Sequence, residues 1–152
     1  MERRQLGGGG AAVRGGARLV LAAAVAVLAG CGGSRSYVDR ADAICRDRAQ
    51  AVAALRAPRS PVEQEAAYER LVALEQREAA RLAKLAPPSG RKAEAGALVA
   101  ALTAVAEAGE RLRVAGLSGD SESAQGAVFR GRKAAAAFAR HAQALGLKVC
   151  GR

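Results

Sequence analysis

The residues able to carry chemistry are few: three cysteines (Cys31, Cys45, Cys150), one histidine (His141), and carboxylates scattered through alanine-rich segments. A thiol nucleophile needs a base within hydrogen-bond reach. The one histidine falls on the flank of a helical stretch beside Phe138 and Ala142; an up-down arrangement puts it in the same half of the molecule as Cys45, but spacing does not fix their distance and a partner cysteine explains that thiol better. A histidine ligand for zinc or haem needs companions, and neither a second histidine nor a cysteine cluster exists. A di-iron centre in a helical bundle needs Glu-x-x-His on two helices, whereas the residue three before His141 is Phe138. Glu75 or Glu78 with Glu107 or Glu110 would make at most a polar patch. Their neighbours Arg77, Arg81, Arg111 and Arg113 suit them better to solvated, ion-paired flanks. The expectation is a protein with no catalytic residue, no metal and no cofactor.

What positions these residues begins with the amino terminus. Arg3, Arg4, Arg14 and Arg18 precede an apolar run from Leu19 to Leu28, then small residues up to Cys31. Basic region, short apolar region and small-residue cleavage site, in that order, make a secretory signal. A run of about ten to twelve apolar residues is too short to span a bilayer. Leu28-Ala29-Gly30-Cys31 resembles a bacterial lipobox, which implies cleavage before Cys31 and diacylglycerol on its sulfur. The alternative is an ordinary signal peptide cut nearby, leaving Cys31 a free or paired thiol. Arg3-Arg4 hints at twin-arginine export, but Gln5-Leu6-Gly7 and a glycine run follow it. That glycine run, the one stretch that could suggest a phosphate-cradling loop, leaves with the signal.

The expected organisation is a signal at 1–30, a lipidated tether at 31–35 and one helical domain at 36–150. Removing the signal takes four of the 24 basic and one of the 14 acidic residues, so the formal charge falls from +10 to +7. Outside the cell such basicity argues against nucleic acid by access alone, and suits anionic lipid headgroups or acidic wall polymers. Tyr37, Tyr68, Phe129 and Phe138 are the only aromatics, too few for stacking bases or sugars. Leu, Ile, Val and Phe together make up fewer than one residue in five of the mature chain. Alanine is the commonest residue among the rest, and it is the best helix former.

Four helical segments are legible. Ser36 with Asp39 three residues on makes a capping box, followed by Tyr37 or Val38, Ala41, Ile44, Ala51 or Val52, and Leu55 at helical spacing. Arg48 belongs at the edge of that stripe, and Ala57-Pro58 ends it. Ser60-Pro61-Val62-Glu63 opens a second helix with a serine cap, proline at the first position and glutamate at the third. Its seam is Tyr68, Leu71, Leu74, Ala79, Leu82 and Leu85, closed by Pro87-Pro88-Ser89-Gly90. A third helix, from about Lys92 to Ala115, carries Ala95, Leu98, Leu102, Val105, Gly109 and Leu112, with Gly109 suited to a close neighbour. Gly116-Leu117-Ser118-Gly119 then reads as a loop. The fourth runs from Asp120 or Ser121 to Leu145 with Ala124, Val128, Gly131, Ala135, Phe138, Ala142 and Leu145 inward, and Gly146 ends it.

Short connections between such segments make consecutive antiparallel neighbours. The expected fold is all-α: an alanine-rich, antiparallel four-helix up-down bundle, with a three-helix core and one loose terminal segment as the alternative. If lipid occupies Cys31, Cys45 and Cys150 remain as an even pair outside the cytoplasm. The end of helix four then returns beside the start of helix one, and topology and redox compartment agree on a Cys45–Cys150 disulfide closing the bundle.

Tyr37-Val38, Ala41-Asp42-Ala43-Ile44-Cys45, the Ala/Pro breaks and the terminal Leu145-Gly146-Leu147-Lys148-Val149-Cys150 resemble small secreted helical lipoproteins of high-GC actinobacteria. The resemblance implies placement on the extracytoplasmic face of the cell membrane and supports the disulfide, without implying an activity. The functional expectation is a non-enzymatic, lipid-anchored interaction or envelope-associated module. Its partners would be the membrane through the lipid, and anionic headgroups, an acidic wall polymer or an envelope protein. Arg130, Lys133 and Arg140, with Arg111 and Arg113, form the expected surface for an anionic partner. The alternative is a binder of a small molecule or lipid in a pocket bounded by Phe129, Phe138, Leu102 and Leu112.

Overall fold

The computed structural model describes residues 36–151. The expected signal (1–30), tether (31–35) and acyl site Cys31 lie outside the described residues. Four helices follow in order: α1 (Tyr37–Ala53), α2 (Pro61–Ala83), α3 (Lys92–Ser118) and α4 (Ser121–Ala144). No strand occurs among the described residues. The fold is the antiparallel four-helix bundle expected from the four amphipathic segments and their short connections.

Local chemistry sets the helix ends. The Ser36 hydroxyl accepts from the Asp39 amide at 3.1 Å, and the Ser36 amide donates to the Asp39 carboxylate at 3.3 Å, completing the capping box. Ser60 caps α2 in the same way, with Pro61 in the first turn. Glu63 reaches one residue further back than a capping box requires and accepts from the Arg59 amide at 2.6 Å. Asp120 caps α4 by accepting from the Ser123 amide at 2.9 Å. At the far end of α4, Gly146 takes φ +77°, and the amides of Gly146 and Leu147 return to Gln143 and Ala142.

One boundary differs from the sequence expectation. Gly116, Leu117 and Ser118 continue α3, and the chain turns only at Gly119, whose φ is +67°. A mid-helix glycine costs about 1 kcal/mol without ending the helix. Here the buried Ala115 anchors the last turn, and the Ser118 hydroxyl donates to the carbonyls of Val114 and Ala115.

Packing is sequential: α1 against α2, α2 against α3, and α3 against α4. The principal core gathers Tyr37, Ala41 and Ile44 from α1, Leu82 from α2, Leu98 and Leu102 from α3, and Phe138 and Ala142 from α4. Leu145, Leu147 and Cys150 cap it. At 17 residues, α1 is about 26 Å long against about 40 Å for α3. Its buried residues all lie in its first nine positions. Away from the core, Val72, Ala106, Ala108, Ala115 and Ala127 are the buried apolar side chains, four of the five being alanine.

The seams shift accordingly. Tyr68, Leu71 and Leu74 of α2, and Leu85 just past its end, are only half-buried, while Val72 and Glu78 go inward, because α2 packs between α1 and α3. In α4, Val128 is 39% exposed and Ala135 is exposed, and Ala127 is buried instead. With α3 as the only helix among the described residues whose backbone adjoins it, α4 turns its buried face toward α3. Gly109 meets its expectation: a Cβ there would lie 3.0 Å from Val72 Cγ2, so its absence lets α2 and α3 close up.

The backbones of α1 and α4 do not adjoin, and the carboxy-terminal tail joins them. Cys45 and Cys150 form the expected disulfide, with α carbons 5.3 Å apart and a sequence separation of 105. Three residues before Cys45, and hence on the same side of α1, the buried Asp42 carboxylate accepts from the amides of Lys148 at 3.0 Å and Val149 at 2.9 Å.

Candidate functional site

The side chains that first suggested chemistry are drawn into structural roles. Cys45 is in the disulfide and is no free thiol. His141 Nδ1 lies 2.7 Å from Glu94 Oε1, a pairing of α4 with α3 on a partly exposed flank. Among the described residues, no group of three or more His, Cys, Asp or Glu side chains is arranged to hold a metal ion. No described helix is long and apolar enough to cross a membrane.

The four residues expected to bound an interhelical pocket do not share one. Leu102 and Phe138 are buried in the core, and Phe129 is 71% exposed on the outside of α4. Leu112 instead lines an open groove of about 270 Å³ between α2, α3 and α4, with Tyr68, Leu71 and Val128. The pocket fails because α4 turns Ala127, and not Phe129, toward α3.

One polar cluster departs from the expected solvated flanks. Glu78 is 4% exposed, and its Oε2 lies 3.3 Å from Arg48 Nε across the α1–α2 contact. The same guanidinium reaches Glu75 at 3.4 Å. Despite their proximity, Arg48 Nε and Glu78 Oε2 are not aligned for a hydrogen bond, and neither atom has another partner. Burial therefore outweighs the neighbouring charge and pushes the Glu78 carboxyl up to about 7; Arg48 pulls it down, Glu75 pushes it up and Arg81 pulls it down. Glu75 is raised as well, by burial, against the pull of Arg48. An Asp47–Arg81 pair at 2.7 Å adds an exposed contact beside them. The sequence showed Glu78 near Arg81 on its own helix; that Arg48 on α1 is its closer partner follows only from how the two helices pack.

The basic residues divide in a way spacing does not reveal. Arg113 is largely covered and bonds to Glu110 at 2.7 and 2.9 Å and to Glu65 at 3.3 Å, which raises its own pKa and lowers that of Glu110. Arg111 sits 3.8 Å from Glu107. Their charges are answered within the chain. By contrast Arg130, Lys133 and Arg140 are exposed, as is Arg132. Among the described residues, none of these four has a carboxylate within ion-pair distance.

The reason is in the sequence itself: no Asp or Glu occurs after Glu122. Phe129, Arg132, Lys133, Ala136 and Arg140 recur at three, four, seven and eleven residues, which puts them on one face of α4. Arg130 flanks that face on one side and Val128 on the other. The candidate site is this outer face of α4. Arg132 belongs to it although it was not among the expected residues, and Arg113 has its charge satisfied elsewhere. Comparison with protein-family models finds no match, and neither curated proteins nor solved structures give one.

Proposed function

We propose that this chain is a lipid-anchored helical module of the extracytoplasmic membrane face. It performs no reaction and uses the outer face of α4 to hold an anionic, phosphate-bearing surface of the envelope. One observation carries this reading: the cations of α4 stand exposed and unanswered, while Arg48 of α1 and Arg113 of α3, which lie against neighbouring helices, are answered by carboxylates. An unpaired basic face attracts anions over roughly a Debye length, about 8 Å at physiological ionic strength. Anchoring is supported by the resemblance of Leu28-Ala29-Gly30-Cys31 to a lipobox, and export by the disulfide, which persists in oxidising compartments.

The test is titration of the full chain with a soluble phosphodiester polymer across a salt series. Binding should weaken steeply with salt, and Arg132→Ala with Lys133→Ala and Arg140→Ala should abolish it. Arg111→Ala with Arg113→Ala should leave it nearly intact. Equal effects of the two sets would remove the assignment to α4. Mass spectrometry of the native chain tests the anchor separately: diacylglycerol on Cys31 is expected, and an unmodified amino terminus upstream of residue 31 would refute it.

A further inference from the structure

The geometry points to a bilayer as the surface that α4 engages, with the ring of Phe129 seated at the headgroup boundary. This rests on the reading above that α4 is the anionic docking face, and it names the surface. Phe129 is 71% exposed at the amino-terminal end of the basic face, one turn ahead of Arg132 and Lys133, while the other described phenylalanine, Phe138, is buried. Val128, 39% exposed, lies beside it, and Val128, Phe129 and Arg132 line one shallow depression on the outside of α4.

A soluble polyanion can neutralise Arg130, Arg132 and Lys133, yet it leaves the phenyl ring in water. A bilayer offers phosphate charge and, a few ångströms deeper, an apolar layer. Arg and Lys side chains are long enough to keep their charged ends among the phosphates while a shorter apolar side chain goes deeper. Ala135 and Ala136 continue the same exposed side with little bulk, so the helix can lie close to the surface. The absence of any acidic residue beyond Glu122 removes repulsion along most of α4. The expected acyl carrier is five residues ahead of Ser36, about 17 Å of fully extended chain, so a membrane is the surface nearest to hand.

The sequence contains no tryptophan, so Phe129→Trp supplies a single reporter at an exposed position. The full chain as its host exports it, carrying this substitution, is reconstituted into neutral phosphatidylcholine vesicles and into vesicles containing phosphatidylglycerol. Any lipid anchor is then the same in both. Expected are a blue-shifted emission and several-fold weaker acrylamide quenching on the anionic vesicles alone. Both should be reversed by high salt and by adding Arg132→Glu with Lys133→Glu.

Identical emission on the two vesicle types overturns the proposal. So does blue-shifted emission before any vesicle is added, which would mean that a second copy covers Phe129. If the reporter stays wet while the soluble polymer still binds, the bilayer assignment falls and the docking face stands. If the polymer also fails to bind, both fall together.

Discussion

Replacing Glu78 by glutamine should stabilise the protein, and the gain should depend on pH. The Glu78 carboxyl titrates at about 7 in the folded chain and near its ordinary value of 4.5 when the chain unfolds. Between those values the folded protein holds a proton that the unfolded chain has released. Stability from this group is therefore fully present below about 4.5, falls as pH rises through about 7, and is flat above that. At 1.36 kcal/mol per tenfold change in proton activity, the ionised side chain costs about 3 kcal/mol in mildly alkaline solution. That is a large part of the 5–15 kcal/mol by which domains are ordinarily stable.

Glu75, raised in the same direction, adds to the trend. Glu110 and Asp120, both lowered, act oppositely and only at more acid pH, where their stabilisation is lost as they protonate. Urea unfolding of the oxidised protein at a series of pH values from about 5 to about 8 reads the difference directly. The wild type should lose about 3 kcal/mol over that range, while Glu78→Gln should keep only the smaller fall due to Glu75 and be the more stable protein at the alkaline end. A wild type that gains stability with rising pH, or a Glu78→Gln protein weaker than wild type at pH 8, would refute the assignment of a buried carboxylate that Arg48 fails to compensate.

Three further outcomes follow from the packing. Reducing the Cys45–Cys150 bond, which spans 105 residues, should cost about 4–5 kcal/mol on the chain-entropy account, read from unfolding with and without reductant. Asp42→Ala in the oxidised protein should cost about 3 kcal/mol by stranding two tail amides, with Asp42→Asn losing less. Hydrogen exchange at Lys148 and Val149 should accelerate in the alanine variant. Gly96→Ala, which points into open space, should stabilise by up to about 1 kcal/mol. Gly109→Ala should fall short of that gain or lose stability, because its Cβ presses on Val72; equal gains at the two sites, by thermal unfolding, would contradict the close approach of α2 and α3.

By itself the sequence determined whatever depends on a few neighbouring residues. The caps at Ser36, Ser60 and Asp120 and the stop at Gly146 are satisfied within four or five positions of chain, so their signals are local and were legible. The cysteine pairing was legible too, because with Cys31 expected to carry lipid two cysteines were left, and an up-down bundle returns the end of the fourth helix beside the start of the first. Tertiary structure decided which side of each helix faces which neighbour. Alanine supplies helix propensity with almost no directional preference, so the seam of α4 was free to rotate toward α3, leaving Phe129 outside and Ala127 inside. Packing likewise decided which charges are answered. Glu78 and Arg48 are 30 residues apart in sequence and meet across two helices, whereas Arg130, Arg132, Lys133 and Arg140 meet no carboxylate among the described residues. Coulomb energy depends on distance and burial in space, and one-dimensional spacing fixes those only within a single helix.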